Sequence, residues 1–350
     1  LISVLLIDSP ARAHAFGQRY DLPLPLWLFV SGGAVTVILS FVIITLVTVN
    51  IKKTNSYPRF DLLKYSVGNL LTHPACIGLI RFIFMIFFLI ILATGFWGNQ
   101  NSLNNISIVM IWVIAWVGLA FICALLGNFW ALINPWNTIF NFMEIIYRKI
   151  TGKDLSRYRP YPITMGYWPS FIFFLCFAWL EINWSNSNIP SSVATALLIY
   201  SVITLFGMFI YGRKTWLKFG ECFTVVYTLF SRFAITEGCL NPEKTEWFLR
   251  PPGMGLRHGQ ESLPNLTMVF FILLLLSTVT YDGYTETEAF QNITLKCFEF
   301  LQALTKNMND SSIQSLVDTI GLLLFPVIFI AVYFFFIWLS AFMDGETDKT

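Results

Sequence analysis

Seven stretches of this chain are long enough and apolar enough to cross the hydrocarbon core of a bilayer, which is roughly 30 Å thick. Because backbone polar groups inside lipid must be satisfied within the segment, such spans fold as helices. The sequence therefore predicts an all-α fold: a polytopic transmembrane helix bundle of about seven spans, in contact with the lipid bilayer. The predicted spans are approximately 26–49, 77–97, 106–130, 168–184, 192–211, 264–281 and 317–341.

The composition supports a membrane location over a water-soluble one. Hydrophobic residues make up 56% of the chain and charged residues only 12%, whereas soluble domains carry about 25% charged residues. The formal net charge of +2 gives no indication of a nucleic-acid partner.

The first fifteen residues predict the remnant of a secretory signal. Leu1 to Ile7 is apolar, and Ala13-His14-Ala15 has the small-x-small form of a cleavage site. An uncleaved signal-anchor is the alternative. The predicted organisation is a signal remnant at 1–15, followed by a single transmembrane helical domain at 16–350.

The loops between the spans alternate in basic charge. Loops 50–76, 138–167 and 212–262 are rich in Lys and Arg, whereas loops 98–105 and 185–191 contain neither. Basic residues stay on the cytoplasmic side because they resist translocation. The alternation predicts a cytoplasmic-membrane protein with its N-terminus outside and its last residue inside.

Two loop segments, 219–233 and 287–306, carry apolar residues at three- and four-residue steps. This spacing predicts amphipathic helices lying in the membrane interface, one at each face. Helices packed on the bundle are the alternative.

Polar side chains near the span ends form two layers. Ionisable groups within a membrane cost free energy, so each is a candidate site residue. The predicted outer layer contains Glu181 and Asp282, with His14, Arg19 and Asp21 before the first span; the predicted inner layer contains Arg81, Asn128, Asn134 and Glu221. In the structural alternatives, Arg81 extends to the headgroups and the two asparagines hydrogen-bond neighbouring helices.

Glu181 and Asp282 are the candidate catalytic residues. Two carboxylates at one depth can share a proton, hold a cation or accept hydrogen bonds from Arg19. A salt-bridged lid that only closes the bundle is the structural alternative. With His14 as a weak nitrogen ligand, they would form a thin ligand set for a divalent metal, which is the one cofactor these residues suggest. Glu221, beside a row of phenylalanines, is expected to serve assembly more than chemistry.

Several phrases of the sequence resemble a bacterial polytopic membrane-protein family that carries the name fenitrothion hydrolase. They are Ala13 to Trp27, Leu126-Gly-Asn-Phe-Trp130, Asn134-Pro-Trp136, Phe177-Ala-Trp-Leu-Glu181, Gly220-Glu-Cys-Phe223 and Thr278-Val-Thr-Tyr-Asp-Gly283. The resemblance implies a membrane-bound complex that acts on an organophosphate ester, and therefore a second membrane subunit. It implies a bacterial inner membrane, and it supplies no catalytic residues. Family members continue past the equivalent of residue 344, which implies a fragment truncated at its C-terminus.

Three functions remain open at this point. The first is a hydrolase, or a subunit of one, acting on an ester or phosphoester at the outer face, because hydrolysis needs an activated water that Glu181 or Asp282 can supply. The second is a transporter or channel, which is disfavoured because no charged residue falls at the predicted middle of a span. The third is a non-catalytic membrane scaffold for a partner enzyme.

Overall fold

A computed structural model describes residues 58–240, 245–256, 265–304 and 308–347, together with isolated positions between 28 and 42. Those isolated positions are helical; the rest of the predicted first span and the signal remnant lie outside the described residues. Within the described part of the chain, six helices are long and apolar enough to cross a membrane. The predicted all-α membrane bundle is confirmed.

The helices follow the predicted spans, with shorter helices between them. In chain order they are α1 (Ser66–Leu71), α2 (Pro74–Trp97), α3 (Ile106–Leu125), α4 (Phe129–Ile133), α5 (Pro135–Thr151), α6 (Trp168–Ile182), α7 (Pro190–Tyr211), α8 (Arg213–Phe219), α9 (Cys222–Phe230), α10 (Leu266–Thr285), α11 (Glu288–Leu304) and α12 (Asp310–Thr347). The six that could cross a membrane are α2, α3, α6, α7, α10 and α12, with the turn Ile163–Met165 extending α6.

Two span ends differ from the prediction. Helix α3 stops at Leu125 rather than at residue 130, because Gly127 has a φ of +142° that L side chains rarely adopt. Asn128 then caps the next helix by accepting a hydrogen bond from the Ala131 amide. Helix α12 covers Asp310–Thr347 rather than 317–341, so polar turns extend it beyond its apolar stretch.

The two ends of the bundle differ in charge. One end, called the basic face below, carries the loop after α5, where the amides of Arg157 and Arg159 donate to the carbonyls of Phe209 and Ile210 near the end of α7. The other end, called the opposite face, carries loops 98–105 and 183–189. The assignment of the basic face to the cytoplasm stays a prediction.

Helix α9 resolves the alternatives for segment 219–233, since it is packed inside the bundle and buries Val225, Val226 and Tyr227. Segment 287–306 forms α11 at the opposite face. This helix buries Phe290 and Thr294 but leaves Ile293 and Phe300 exposed, as an interfacial helix would.

A three-stranded antiparallel sheet, which the sequence analysis missed, joins two basic-face segments. Its strand order is β1 (Phe60–Asp61), β3 (Thr245–Leu249), β2 (Thr236–Leu240). Buried Arg250 ties the sheet to the end of α9, because its guanidinium donates to the Ser231 carbonyl at 2.8 Å and to Glu237 at 3.3 Å.

Candidate functional site

Glu181 and Asp282 line one cavity near the opposite face. Glu181 lies in the last turn of α6 and Asp282 in the last turn of α10, and these two helices pack against each other. The cavity measures about 40 Å³. Because one water needs roughly 10–15 Å³, this volume holds water beside two carboxylates. The remaining lining residues are Trp116, Phe174, Ala178, Ile182, Thr278 and Val279.

Trp116 lies beside Glu181 in this cavity. Both side chains line it, and Asp282 interacts electrostatically with Glu181. Trp116 belongs to a π-helical stretch of α3, Val109–Gly118. Such stretches are rare and occur often at functional sites. The Tyr227 hydroxyl, from α9, donates to the Ala115 carbonyl within the same stretch.

A second polar centre lies deeper in the bundle, where two helix junctions meet. Helices α4 and α5 form a hairpin that enters from the basic face and turns at Asn134-Pro135. Pro135 starts α5, and the Asn134 side chain caps it by accepting from the Asn137 amide at 2.9 Å. Proline removes a backbone donor and disfavours helix at the residue before it, so the sequence predicts a helix break at this dipeptide, and the structure has the break there.

The hairpin reaches the middle of the neighbouring spans. The Trp136 indole donates to Ser201 Oγ at 2.8 Å, and its ring contacts Tyr200 and Phe88 with centroid distances of 5.0 and 6.2 Å. Ser201 and Tyr200 lie near the middle of α7, and Phe88 lies near the middle of α2. Irregular backbone at this depth is tolerated because it is enclosed by protein.

The second junction is Gly220-Glu221, between α8 and α9. Glu221 is fully buried, and its carboxylate caps α9 by accepting from the amides of Phe223 at 2.9 Å and Thr224 at 2.8 Å. The Tyr200 hydroxyl donates to the same carboxylate at 2.6 Å. The Thr224 hydroxyl makes a further short contact with it. Four close donors therefore converge on Glu221.

Thr224 links the two junctions. Its hydroxyl oxygen accepts from Asn134 Nδ2 and from the Trp130 indole, each at 3.1 Å, while the hydroxyl hydrogen points to Glu221. The N-termini of α5 and α9 thus meet around one carboxylate, which suits the positive ends of both helix dipoles.

The expected inner-surface position of Glu221 and Asn134 is wrong, because both reach the level of Tyr200. The prediction counted their depth from the ends of the spans, and two helix junctions that turn inside the bundle do not follow that alternation. Asn128 is nearer the basic face, where its Nδ2 donates to Thr228 Oγ1 at 3.1 Å. Arg81 donates from Nε to the Leu132 carbonyl at 3.2 Å, so it supports the hairpin rather than only extending to headgroups.

His14, Arg19 and Asp21 lie outside the described residues, so their place near the cavity stays a prediction. Within the described ranges, no group of three or more His, Cys, Asp or Glu side chains is arranged to hold a metal ion. Within the described residues, Glu181 and Asp282 are thus two candidate oxygen ligands. A hard cation would need further ligands beside them.

The arrangement of apolar helices defines an integral membrane protein. No family model, no curated protein and no solved structure matches the chain. The candidate site therefore rests on its own geometry.

Proposed function

We propose that this membrane protein is a hydrolase, or the membrane subunit of one, that cleaves an apolar ester or phosphoester at the opposite face. The observation that carries the proposal is the meeting of Glu181 and Asp282 in one cavity with room for water. The two stretches that contain these carboxylates are also among those by which the chain resembles the fenitrothion hydrolase family. That resemblance favours an organophosphate substrate.

The chemistry uses the two carboxylates as a general base and a general acid. One carboxylate accepts a proton from water as its oxygen attacks the phosphorus or carbonyl carbon. The other donates a proton to the leaving oxygen as the ester bond breaks, so water is consumed and the proton count balances. Proton transfer of this kind contributes about 10²–10⁴-fold to a rate.

The cavity suits a substrate that arrives from the membrane. Val279 lines the cavity and is 59% exposed on the bundle surface, within the apolar stretch of α10. An ester dissolved in lipid would meet the mouth of the cavity from this side, with Val279 against its apolar part. A second membrane subunit would supply the group that stabilises the developing negative charge.

Substitution tests the proposal directly. Glu181→Gln and Asp282→Asn keep side-chain size but remove the acid–base function, so each should lower ester hydrolysis by about 100-fold or more in membranes that contain the full complex. Glu288→Gln, at an exposed position on the same face, is the matched control. Full activity in both cavity variants, with normal protein levels, would contradict the proposal.

We further propose that the opposite face lies outside the bacterial cytoplasmic membrane. The clustering of basic residues at the other end supports this orientation. A single cysteine placed at Asn186, on the opposite face, should react with a membrane-impermeant reagent in intact cells. A cysteine at Lys153 should react only after the cells are opened, and labelling of Lys153→Cys from outside would reverse the assignment.

Passage of a proton or ion through the bundle is the second candidate function. One observation favours it. Glu221 accepts a hydrogen bond from Tyr200 and so lies level with the middle of α7, the depth at which transporters place their binding sites. The sequence predicted no charged residue at that depth. Flux assays in vesicles that contain the purified chain distinguish this function from hydrolysis.

A further inference from the structure

Thr204 differs from the other hydroxyl residues of α7. The hydroxyls of Thr195 and Ser201 donate to the carbonyl four residues earlier, both at 2.7 Å, which is the usual arrangement within a helix. Thr204 is completely buried, and its hydroxyl has no partner in the protein. Because a buried polar group without a hydrogen bond is costly, this hydroxyl points to a bound polar species.

Trp216 presents a second buried donor without a partner. Its indole N–H is unpaired, and the residue is 5% exposed. The ring lies directly on Gly207, where an added Cβ would be 2.2 Å from Cε2, the ring atom bonded to the indole nitrogen. Gly207 is one turn of α7 beyond Thr204, so the Trp216 ring packs on the turn that follows the unpaired hydroxyl.

The Tyr200–Glu221 pair borders the same space. Tyr200 is one turn before Thr204 on the same face of α7. The other side of the Trp216 ring packs against Gly220, the residue before Glu221, with 2.6 Å from Cδ2 to an added Cβ. The two unpaired groups therefore lie between the Glu221 centre and the basic-face end of α7.

Polar groups continue from this space to the basic face. Ser156 Oγ lies 3.4 Å from the Met208 carbonyl oxygen, one turn beyond Thr204, and 3.3 Å from Glu144 Oε1, so its single hydrogen has two alternative acceptors. Glu144 in turn pairs with Arg213 at 3.4 Å. This ion pair marks the end of a polar column that starts at Glu221.

We propose that buried water bound by Thr204 and Trp216 connects the Tyr200–Glu221 pair to the basic face, so that Glu221 exchanges protons with that side of the membrane. The transfer is balanced: a water that has taken up a proton from the basic face passes it to the Tyr200 oxygen while the phenolic proton moves to Glu221 Oε1. One O–H bond breaks at the protonated water and one at Tyr200, while one forms at Tyr200 and one at Glu221, so the water returns to its neutral form. The inference concerns a second site and does not depend on ester hydrolysis.

The other titratable groups around Glu221 keep their protons in this scheme. Cys222 and Tyr227 face it from α9, and the Cys222 sulfur lies 3.3 Å from the Tyr200 hydroxyl. The α4–α5 hairpin contributes only neutral Trp130 and Asn134. Tyr200 donates to Glu221 and lies one turn before Thr204 on α7, so the proposal assigns it as the transfer residue.

Infrared difference spectroscopy on the purified full-length chain tests the proposal. A carboxyl band that appears on acidification and is absent in Glu221→Gln identifies Glu221. After a rapid pH change, Thr204→Val and Trp216→Phe should each slow the appearance of this band about tenfold, the factor that one lost hydrogen bond is worth. Thr195→Val, on the same helix with an internally bonded hydroxyl, should leave the rate unchanged.

Wild-type rates in both Thr204→Val and Trp216→Phe would overturn the proposal, as would the survival of every carboxyl band in Glu221→Gln. If Glu221→Gln fails to accumulate, Tyr200→Phe replaces it, and the fast phase of proton uptake should disappear in that variant. An experimental map of the wild type is an independent readout. Water density within hydrogen-bond distance of both unpaired groups supports the proposal, and its absence there overturns it.

Discussion

The two acidic centres of this molecule differ in how many donors serve each carboxylate. Glu221 is completely buried and receives two amides and two hydroxyls. Glu181 lies beside a cavity with Asp282, another carboxylate, and within the described residues no such set of donors converges on it. A carboxylate held by many donors organises the fold around it and takes up a proton only through one of those donors, whereas a carboxylate beside a cavity and a second acid can act on a substrate.

The two centres nevertheless share one aromatic layer. The Phe223 ring, next to Glu221, contacts Phe177 at 5.0 Å and Trp116 at 6.4 Å between ring centroids. Trp116 in turn reaches Glu181. A structural change at the Glu221 centre would therefore be transmitted to the cavity through these packed rings. A change at the cavity would disturb fewer hydrogen bonds.

The sharpest contrast is expected from removing the deeper carboxylate. Glu221→Leu leaves four donors facing an apolar side chain, which should cost about 3–5 kcal/mol, as for breaking a buried charged network. Thermal unfolding in detergent and the yield of inserted protein measure the effect. Glu288→Leu, at an exposed site, is the control. An unchanged unfolding temperature in Glu221→Leu would show that the donors around Glu221 do not make it more important for stability than Glu181.

An added methyl group should also destabilise the protein more near the Glu221 centre than near the cavity. Gly207→Ala places a methyl group 2.2 Å from the Trp216 ring, so we expect an overpacking cost of about 1–3 kcal/mol. Gly283→Ala, next to Asp282, meets nothing within 4 Å and should be neutral or slightly stabilising, because Ala is the better helix former. Unfolding measurements on both variants test the difference, and equal effects would contradict it.

A smaller effect is expected at the tip of the α4–α5 hairpin. Trp136→Phe keeps an aromatic ring but loses the indole hydrogen bond to Ser201, which should cost about 1 kcal/mol. Trp97→Phe, at a position that is 85% exposed, is the matched control and should change little. If the two variants unfold alike, the hairpin tip does not depend on this hydrogen bond.

The smallest effect on stability is expected at the cavity itself. Glu181→Gln should shift the free energy of unfolding by less than about 1 kcal/mol, because the two side chains have the same size and the cavity leaves room for water beside the amide. Under the proposed function the same variant loses hydrolysis. A stability loss as large as that of Glu221→Leu would instead make Glu181 a structural residue.

The sequence by itself determined the membrane class and the positions of the crossing helices, because hydropathy and length are local properties of each segment. It also predicted the helix break at Asn134-Pro135, the helix at 287–306 and the common depth of Glu181 and Asp282. The common depth of Glu181 and Asp282 could be predicted because each residue lies at the end of a span, and the two spans end at the same face.

Tertiary structure alone decided which side chains meet in the interior. Asn134 and Glu221 are far apart in sequence, and their contact depends on two hairpins that turn inside the bundle. Segments 138–167 and 212–262 are predicted as basic loops with one amphipathic helix at 219–233, yet α5, α8 and α9 each bury side chains in the bundle there. A buried carboxylate is stable only where donors from distant segments converge, and a one-dimensional pattern does not contain that convergence.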